Sequence, residues 1–168
     1  CPCWTSETVF AQRRLPDRLI VLGGGPVGLE LAQAFQRLGT SVIVVEFLDQ
    51  ILGPEDADLA AILRGRLEQE GCTLLTSTRA IRAQRCGATI RLAVAGDGGK
   101  GETCLLEADA LLVAAGRRPN VEGLGLDAAG VRTTPRGIPT DARMKTNIGH
   151  IYACGDVNGQ FPLTHVAG

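Results

Sequence analysis

Apolar residues along the chain fall into two spacings, short unbroken runs and helical stripes, and the two alternate. Leu19-Ile20-Val21-Leu22 is an unbroken run, the pattern of a strand covered on both faces. Gly23-Gly24-Gly25 interrupts it. From Pro26 the spacing turns helical: Val27, Leu31, Phe35 and Leu38 fall on one face, and Gly39 stops the helix. Ser41-Val42-Ile43-Val44-Val45-Glu46 is a second buried strand. Strand, helix and strand in this order make a βαβ unit, whose crossover forces the strands parallel. Ahead of the unit, Thr5-Ser6-Glu7-Thr8-Val9-Phe10 supplies capping side chains and a short lead helix, ended by Leu15-Pro16-Asp17.

The alternation continues. Pro54 is expected to open a second helix, with Glu55, Asp56 and Asp58 at its positive end. Leu59, Ile62, Leu63 and Leu67 form its expected buried stripe, and Gly71 ends it. Cys72-Thr73-Leu74-Leu75 reads as a third strand. From Arg79 to Leu106 the pattern predicts three short strands with turns near Gly87 and Gly96-Asp97-Gly98-Gly99, a β-meander. Ala110-Leu111-Leu112-Val113-Ala114-Ala115 is a further apolar strand, ending at Gly116. A loop-rich stretch runs to Met144, and Ile151-Tyr152-Ala153-Cys154 is expected to be a last short strand. The sum is an α/β fold: a Rossmann-like parallel sheet with helices on its faces and an antiparallel β-meander insertion.

Composition narrows the class of function. A chain of 168 residues suffices for one well-buried core. Its net charge of −1 forms no basic or acidic block, which argues against nucleic acid or an anionic membrane as partner. No apolar run approaches the roughly 20 residues that cross a bilayer. The start, Cys1-Pro2-Cys3-Trp4-Thr5, lacks the basic lead and apolar stretch of a secretory signal. A cytoplasmic setting is expected. Both ends read as cuts through a longer protein.

Among the six cysteines there is no C-x-x-C pair, and no zinc or thioredoxin-type site is expected. Cys1 and Cys3 are expected in a frayed linker. Cys72, Cys86, Cys104 and Cys154 stand among apolar residues as small core fillers. Neither His150 nor His165 has a partner at a telling spacing, and no catalytic residue is assigned.

The chemistry concentrates after the first strand. Gly23-Gly24-Gly25-Pro26-Val27-Gly28 matches G-x-G-x-x-G between a strand and a helix, the context that lets it hold a pyrophosphate. Gly23 permits the tight turn, Gly25 leaves the phosphate unobstructed, and Gly28 lets helix and strand pack closely. Free N–H groups at the helix start face the phosphate charge; Pro26 supplies none. Glu46, 18 residues after Gly28, can accept both hydroxyls of the adenosine ribose. It would also repel a 2′-phosphate: two like charges about 4 Å apart cost roughly 4 kcal/mol at an effective dielectric of about 20. NAD is therefore expected over NADP. The turn alone would serve the ADP half of NAD or of FAD equally, or packing only.

Three stretches together carry a resemblance: Gly23 to Glu46, Ala114-Ala115-Gly116-Arg117-Arg118-Pro119-Asn120, and Thr146-Asn147-Ile148-Gly149-His150-Ile151-Tyr152-Ala153-Cys154-Gly155-Asp156. They resemble the class I pyridine nucleotide–disulfide oxidoreductases, in the right order and over nearly the whole chain. The resemblance implies an NAD(H)-binding domain inserted within an FAD domain, and a full-length homodimer passing hydride between NADH and FAD; the alternative is a stand-alone NAD(H)-binding or sensing module without catalysis. Residues 1–18 would be linker and lead helix, 19–140 the NAD(H)-binding domain and 141–168 a truncated return segment of the FAD domain. The Gly23 turn, with Gly23, Gly25, Pro26, Val27 and Gly28, would then serve the nicotinamide nucleotide. Glu30 would approach the nicotinamide carboxamide, Gly116 would mark the crossing toward the flavin, and Asp156 would bond the ribityl chain of FAD. Bland alternatives stand beside them: a solvated helix charge at Glu30, a turn residue at Asp156, and loop-anchoring or surface charges at Arg117 and Arg118.

Glu30-Leu31-Ala32-Gln33-Ala34-Phe35 and Thr164-His165-Val166-Ala167 look like the mercuric-reductase-like branch, and Glu46-Phe47-Leu48 like dihydrolipoamide dehydrogenase. The partners implied are a nicotinamide dinucleotide and the missing FAD and dimerisation domains. This chain carries neither the redox Cys pair nor the FAD phosphate loop of such enzymes, and alone it is expected to be inactive.

Overall fold

Strand β1 (Arg18–Leu22) leads through a glycine turn into α1 (Pro26–Arg37), then β2 (Ser41–Val45), α2 (Ala57–Gln69) and β3 (Thr73–Leu75). Three antiparallel strands follow, β4 (Arg79–Cys86), β5 (Thr89–Ala95) and β6 (Thr103–Ala108), before β7 (Ala110–Val113) rejoins the first sheet. The computed structural model describes residues 3–159. Cys1, His165 and the stretch Thr164-His165-Val166-Ala167 lie outside them. The chain divides into two compact units between Gly116 and Arg117.

In the first unit the parallel sheet has the order β3-β2-β1-β7. β1 pairs with β2 from Arg18↔Ser41 to Leu22↔Val45, and with β7 from Leu19↔Ala110 to Leu22↔Val113. Side chains alternate across it, so each run of aliphatic residues feeds two cores. Leu19, Val21, Val42, Val44 and Leu112 pack with Leu29 and Ala32 of α1 and Ala60 and Leu67 of α2. Ile20, Val45 and Leu111 face the other way, against Ile90, Leu92, Val94 and Ala108 of the meander. The fold is the Rossmann-type parallel sheet with a meander that the sequence implies. Both helices share one face, and the meander covers the other. Each fully covered aliphatic side chain contributes about 1.5–3 kcal/mol, enough for these two cores to fix the register of β1.

Local details depart from the sequence reading in consistent ways. The buried face of α1 is Gly28, Leu29 and Ala32, with Leu31 and Phe35 half-buried beside it, while Leu38 lies past the helix end and is exposed. Small residues at positions 28 and 32 let the helix lie close to the sheet, which rotates the contact toward Leu29. The same happens in α2: Ala60 and Leu67 are buried, and Leu59 and Ile62 are exposed. That helix begins at Ala57, not Pro54. Asp56 is its N-cap residue, and Glu55 sits in the preceding turn with its N–H donating to the Leu52 carbonyl at 2.7 Å.

The lead segment is a three-residue 3-10 turn, Val9–Ala11, with Val9 buried. The frayed linker expected at Cys3 is not found: Cys3 packs against the meander-side core, and the next residue, Trp4, is hydrogen-bonded into the sheet. Its N–H donates to the Leu111 carbonyl, and its carbonyl accepts from the Val113 N–H, both at 2.8 Å. Trp4 thus extends the sheet beyond β7. Of the four expected core cysteines, Cys72 is buried and its thiol pKa is raised by burial and then by Glu70; Cys86 is half-buried, and Cys104 and Cys154 are exposed. Cys104 pairs with Val94 and shares a face with Leu106 and Ala108, but near the start of β6 it stays exposed.

The second unit, from Arg117, has a small core of Val131, Ile138 and Ala153, with Val121, Leu126 and Ile148 packed against it. The strand expected at Ile151–Cys154 is an isolated bridge, Lys145↔Tyr152. Thr146 donates its N–H to the Ile151 carbonyl and Ala153 donates to the Met144 carbonyl, both at 3.0 Å. Among the described residues only the 144–146 segment pairs with it, too short a partner for a ladder.

Candidate functional site

The C-terminal ends of parallel strands are where open α/β sheets expose free backbone groups, above all where the chain leaves a strand toward both sides. β1 is such a strand, with β2 on one side and β7 on the other. Its last residue runs into Gly23, whose N–H donates to the Val45 carbonyl at 2.9 Å, while the Ala114 N–H donates to the Leu22 carbonyl at 2.8 Å. The turn is therefore pinned to the ends of both neighbouring strands.

Its glycines are needed for different reasons. Gly23 has φ +114°, and a Cβ there would strike the carbonyl of Ala114. A Cβ on Gly28 would strike the Gly23 carbonyl, so the first turn of α1 can lie against the strand end only without a side chain. Gly25 differs. Its φ is −80°, and a Cβ on it would meet nothing within 4 Å. Among the described residues nothing calls for glycine there, and none lies within 4 Å of that Cβ position. Helix geometry leaves the N–H groups of Gly25, Val27 and Gly28 without intrahelical partners, and Pro26 at the helix start has none to offer.

Glu46 immediately follows β2 and is half-buried. Its Oε2 accepts the Gly24 N–H at 2.6 Å, and its Oε1 accepts the Leu48 N–H at 2.8 Å. A carboxylate has about four lone-pair positions, so two remain for hydroxyls. Gly23, Gly25, Pro26, Val27, Gly28 and Glu46 thus come together as the sequence reading expects. That reading missed Gly24, whose bond to Glu46 no spacing rule signals.

It also missed a stack beside Glu46. The Arg79 guanidinium lies 4.8 Å from the centre of the Phe47 ring. The 77–79 segment is laced to the end of β2: Thr78 N–H donates to the Glu46 carbonyl at 2.9 Å, and Ser77 N–H to the Leu48 carbonyl at 2.7 Å. A lone arginine at the head of β4, far along the chain from Phe47, gives no sequence signal.

Three candidates remain. Glu30 is exposed on α1, on the rim of a groove of about 410 Å³ between α1 and α2, lined by Pro26, Leu29, Leu52, Leu59 and Leu63. Gly116, at φ +124°, ends the first unit two residues past Ala114. Asp156 belongs to the second unit, where its Oδ2 is 2.9 Å from Nη2 of the largely exposed Arg117. No described helix is long and apolar enough to cross a membrane.

A glycine turn between strand and helix with an acid at the end of the next strand defines a Rossmann-type domain. The match extends to a family. The model of the pyridine nucleotide-disulphide oxidoreductases covers residues 3–168, and the chain belongs to that family. It is 38% identical to a dihydrolipoyl dehydrogenase of Bacillus subtilis over 162 residues, 96% of this chain and 34% of that protein. It is 44% identical to a dihydrolipoyl dehydrogenase of Thermus scotoductus over 167 residues, 98% of this chain and 36% of that one. Among solved structures, LpdA from Mycobacterium tuberculosis superposes with a TM-score of 0.85 at 34% identity, covering 98% of this chain and 35% of LpdA. The HOCl-induced flavoprotein disulfide reductase RclA from Escherichia coli gives 0.86 at 28% identity, covering 98% and 37%. The chain spans about a third of the length of the relatives it matches.

Proposed function

We propose that residues 19–140 form an NAD(H)-binding domain and that residues 141–168 belong to the return segment of an FAD domain, within a flavin-dependent oxidoreductase of the dihydrolipoyl dehydrogenase type. The observation that carries the nucleotide reading is Gly25: among the described residues nothing requires a glycine there, and it stands beside helix N–H groups that lack intrahelical partners. A pyrophosphate fits such a cradle, since the amides and the helix dipole both favour negative charge.

The chain's own residues divide the work. The N–H groups of Gly25, Val27 and Gly28 grip the pyrophosphate, while Gly23 and Gly28 let the turn close against the strands. Glu46 accepts the adenosine ribose hydroxyls and disfavours a 2′-phosphate by charge, which selects NAD over NADP. Glu30 is assigned to the carboxamide end of the nucleotide and Gly116 to the crossing toward the flavin. Asp156 is assigned to a ribityl hydroxyl of FAD; Arg117 holds its Oδ2 and steadies the carboxylate for that role. The nicotinamide and flavin rings, when bound, supply the hydride chemistry, and protein groups position them. The whole protein is proposed to act in the cytoplasm as a homodimer.

Replacing Glu46 with Arg tests the assignment by isothermal titration of NADH and NADPH. The unaltered chain is expected to prefer NADH by at least about tenfold, and Glu46→Arg to reverse the order. An unaltered chain that prefers NADPH contradicts this role for Glu46.

A further inference from the structure

Glu46 is bonded to the turn as well as facing the sugar position. Its Oε2 holds the Gly24 N–H at 2.6 Å, and its Oε1 holds the Leu48 N–H at 2.8 Å. Gly24 is itself a linkage point: its carbonyl accepts the Leu52 N–H at 2.8 Å. One carboxylate thus ties the middle of the glycine turn to the segment that follows β2. The glycine at position 24 matches this role. It does not have a positive φ, so the turn itself does not require glycine there. A Cβ at Gly24 would instead press on Glu46, 3.1 Å from its Cβ and 3.1 Å from its Oε2. The Cβ of Glu46 is anchored to the strand end and has little room to give way. Gly24 is small, on this reading, so that the Glu46 carboxylate can reach the Gly24 amide.

We infer that Glu46 is a positioning residue for the phosphate turn, setting the direction of the Gly25, Val27 and Gly28 amides and so the grip on pyrophosphate, independently of any bond it makes to ribose. The inference rests on the nucleotide-binding reading and adds a second role for the same side chain. Its physical basis is direct. A charge-assisted bond to an amide is among the stronger hydrogen bonds. A turn held in its binding-competent shape binds more tightly than one that must be ordered on binding. Because Glu46 occupies the Gly24 N–H, the phosphate contacts fall to the three amides beyond it.

The two roles separate with a nucleotide that has the pyrophosphate but lacks the sugar hydroxyls. The test titrates the unaltered chain, Glu46→Ala and Gly24→Ala with ADP and with 2′,3′-dideoxy-ADP. Amide hydrogen exchange of the ligand-free proteins is followed alongside. Glu46→Ala is expected to weaken dideoxy-ADP binding by about fivefold or more and to speed exchange at Gly24 and Leu48. Gly24→Ala, with Glu46 intact, is expected to weaken dideoxy-ADP as well, and to add little in the Glu46→Ala background, because the pair is coupled.

Three results would overturn the inference. One is Glu46→Ala weakening ADP while leaving dideoxy-ADP unchanged or tighter. Another is unaltered exchange at Gly24 in Glu46→Ala. The third is an unaltered chain that binds ADP but not dideoxy-ADP, since the grip would then come through the sugar. A chain that binds neither NADH nor ADP removes the nucleotide reading itself, while the exchange measurement still reports whether Glu46 holds the turn.

Discussion

At Gly28 a methyl group would meet the Gly23 carbonyl, whereas at Gly25 it would meet none of the described residues. These neighbours in one motif should therefore respond differently to the same substitution. Gly28→Ala is expected to lower stability by about 1–3 kcal/mol, the usual cost of overpacking, visible as a lower melting temperature. Gly25→Ala is expected to change stability by less than about 1 kcal/mol and yet to weaken NADH binding by about tenfold, measured by titration. A Gly25→Ala protein that binds NADH normally would remove the main reason for placing phosphate there. At this scale the sequence was informative where chemistry follows spacing: the three glycines of the motif and Glu46 converge as expected. It was silent where contact is made across the fold. Neither the bond from Gly24 to Glu46 nor the Arg79–Phe47 stack follows a local pattern, because each depends on how separate loops meet at the end of β2.

The helices were legible as helices, but their buried faces were displaced. Of the expected stripes, Leu67 is buried and Leu31, Phe35 and Leu63 pack against the core, but Leu38, Leu59 and Ile62 are exposed, and Gly28, Leu29, Ala32 and Ala60 complete the buried faces. Close helix–sheet contact selects small residues, and a count of leucines does not see them. The two helices are also joined at their C-terminal ends. Glu70, the C-cap residue of α2, accepts from Arg37 of α1 at 2.7 Å and 2.8 Å, from Gln33 at 3.1 Å, and pairs with Arg66 at 2.7 Å. The Arg37 hydrogen bond, partly opposed by desolvation, holds the Glu70 carboxyl at about 2, below its ordinary 4.5. A carboxyl whose folded pKa is lowered contributes stability that is full above the unfolded pKa and disappears as pH falls through the folded one. The gap in melting temperature between the unaltered chain and Glu70→Gln should thus be constant above about pH 5, narrow below pH 4.5 and close near pH 2. A gap independent of pH across that window would show that the Arg37–Glu70 contact is not maintained in solution.

As a whole, the first unit is three layers deep: two helices, a four-stranded parallel sheet and a three-stranded meander. The succession of strands and helices and the meander could be read from apolar runs and turn residues, though not the order of strands across the sheet. Which face each layer covers could not, since every central strand is apolar on both sides. The second unit was the least legible. Its apolar run at Ile151–Ala153 packs into a small core through an isolated bridge and not a ladder, and burial alone does not distinguish these. Family membership rests on matches that cover nearly all of this chain and about a third of each relative. We propose the division of labour on the glycine turn and Glu46: a nucleotide domain here, the flavin site completed by other parts of the protein. The purified 168-residue chain is accordingly expected to bind NADH, to carry no stoichiometric flavin and to lack disulfide reductase activity. A yellow preparation with one flavin per chain would contradict the division, and absorbance after gel filtration decides it.

The account turns on where a dinucleotide lies. A crystal of the chain soaked with NADH answers this directly. The predicted result is density for the pyrophosphate against the amides of Gly25, Val27 and Gly28, with the adenosine ribose bonded to the Glu46 carboxylate. NADH bound elsewhere, or a turn left vacant at saturating NADH, would contradict it.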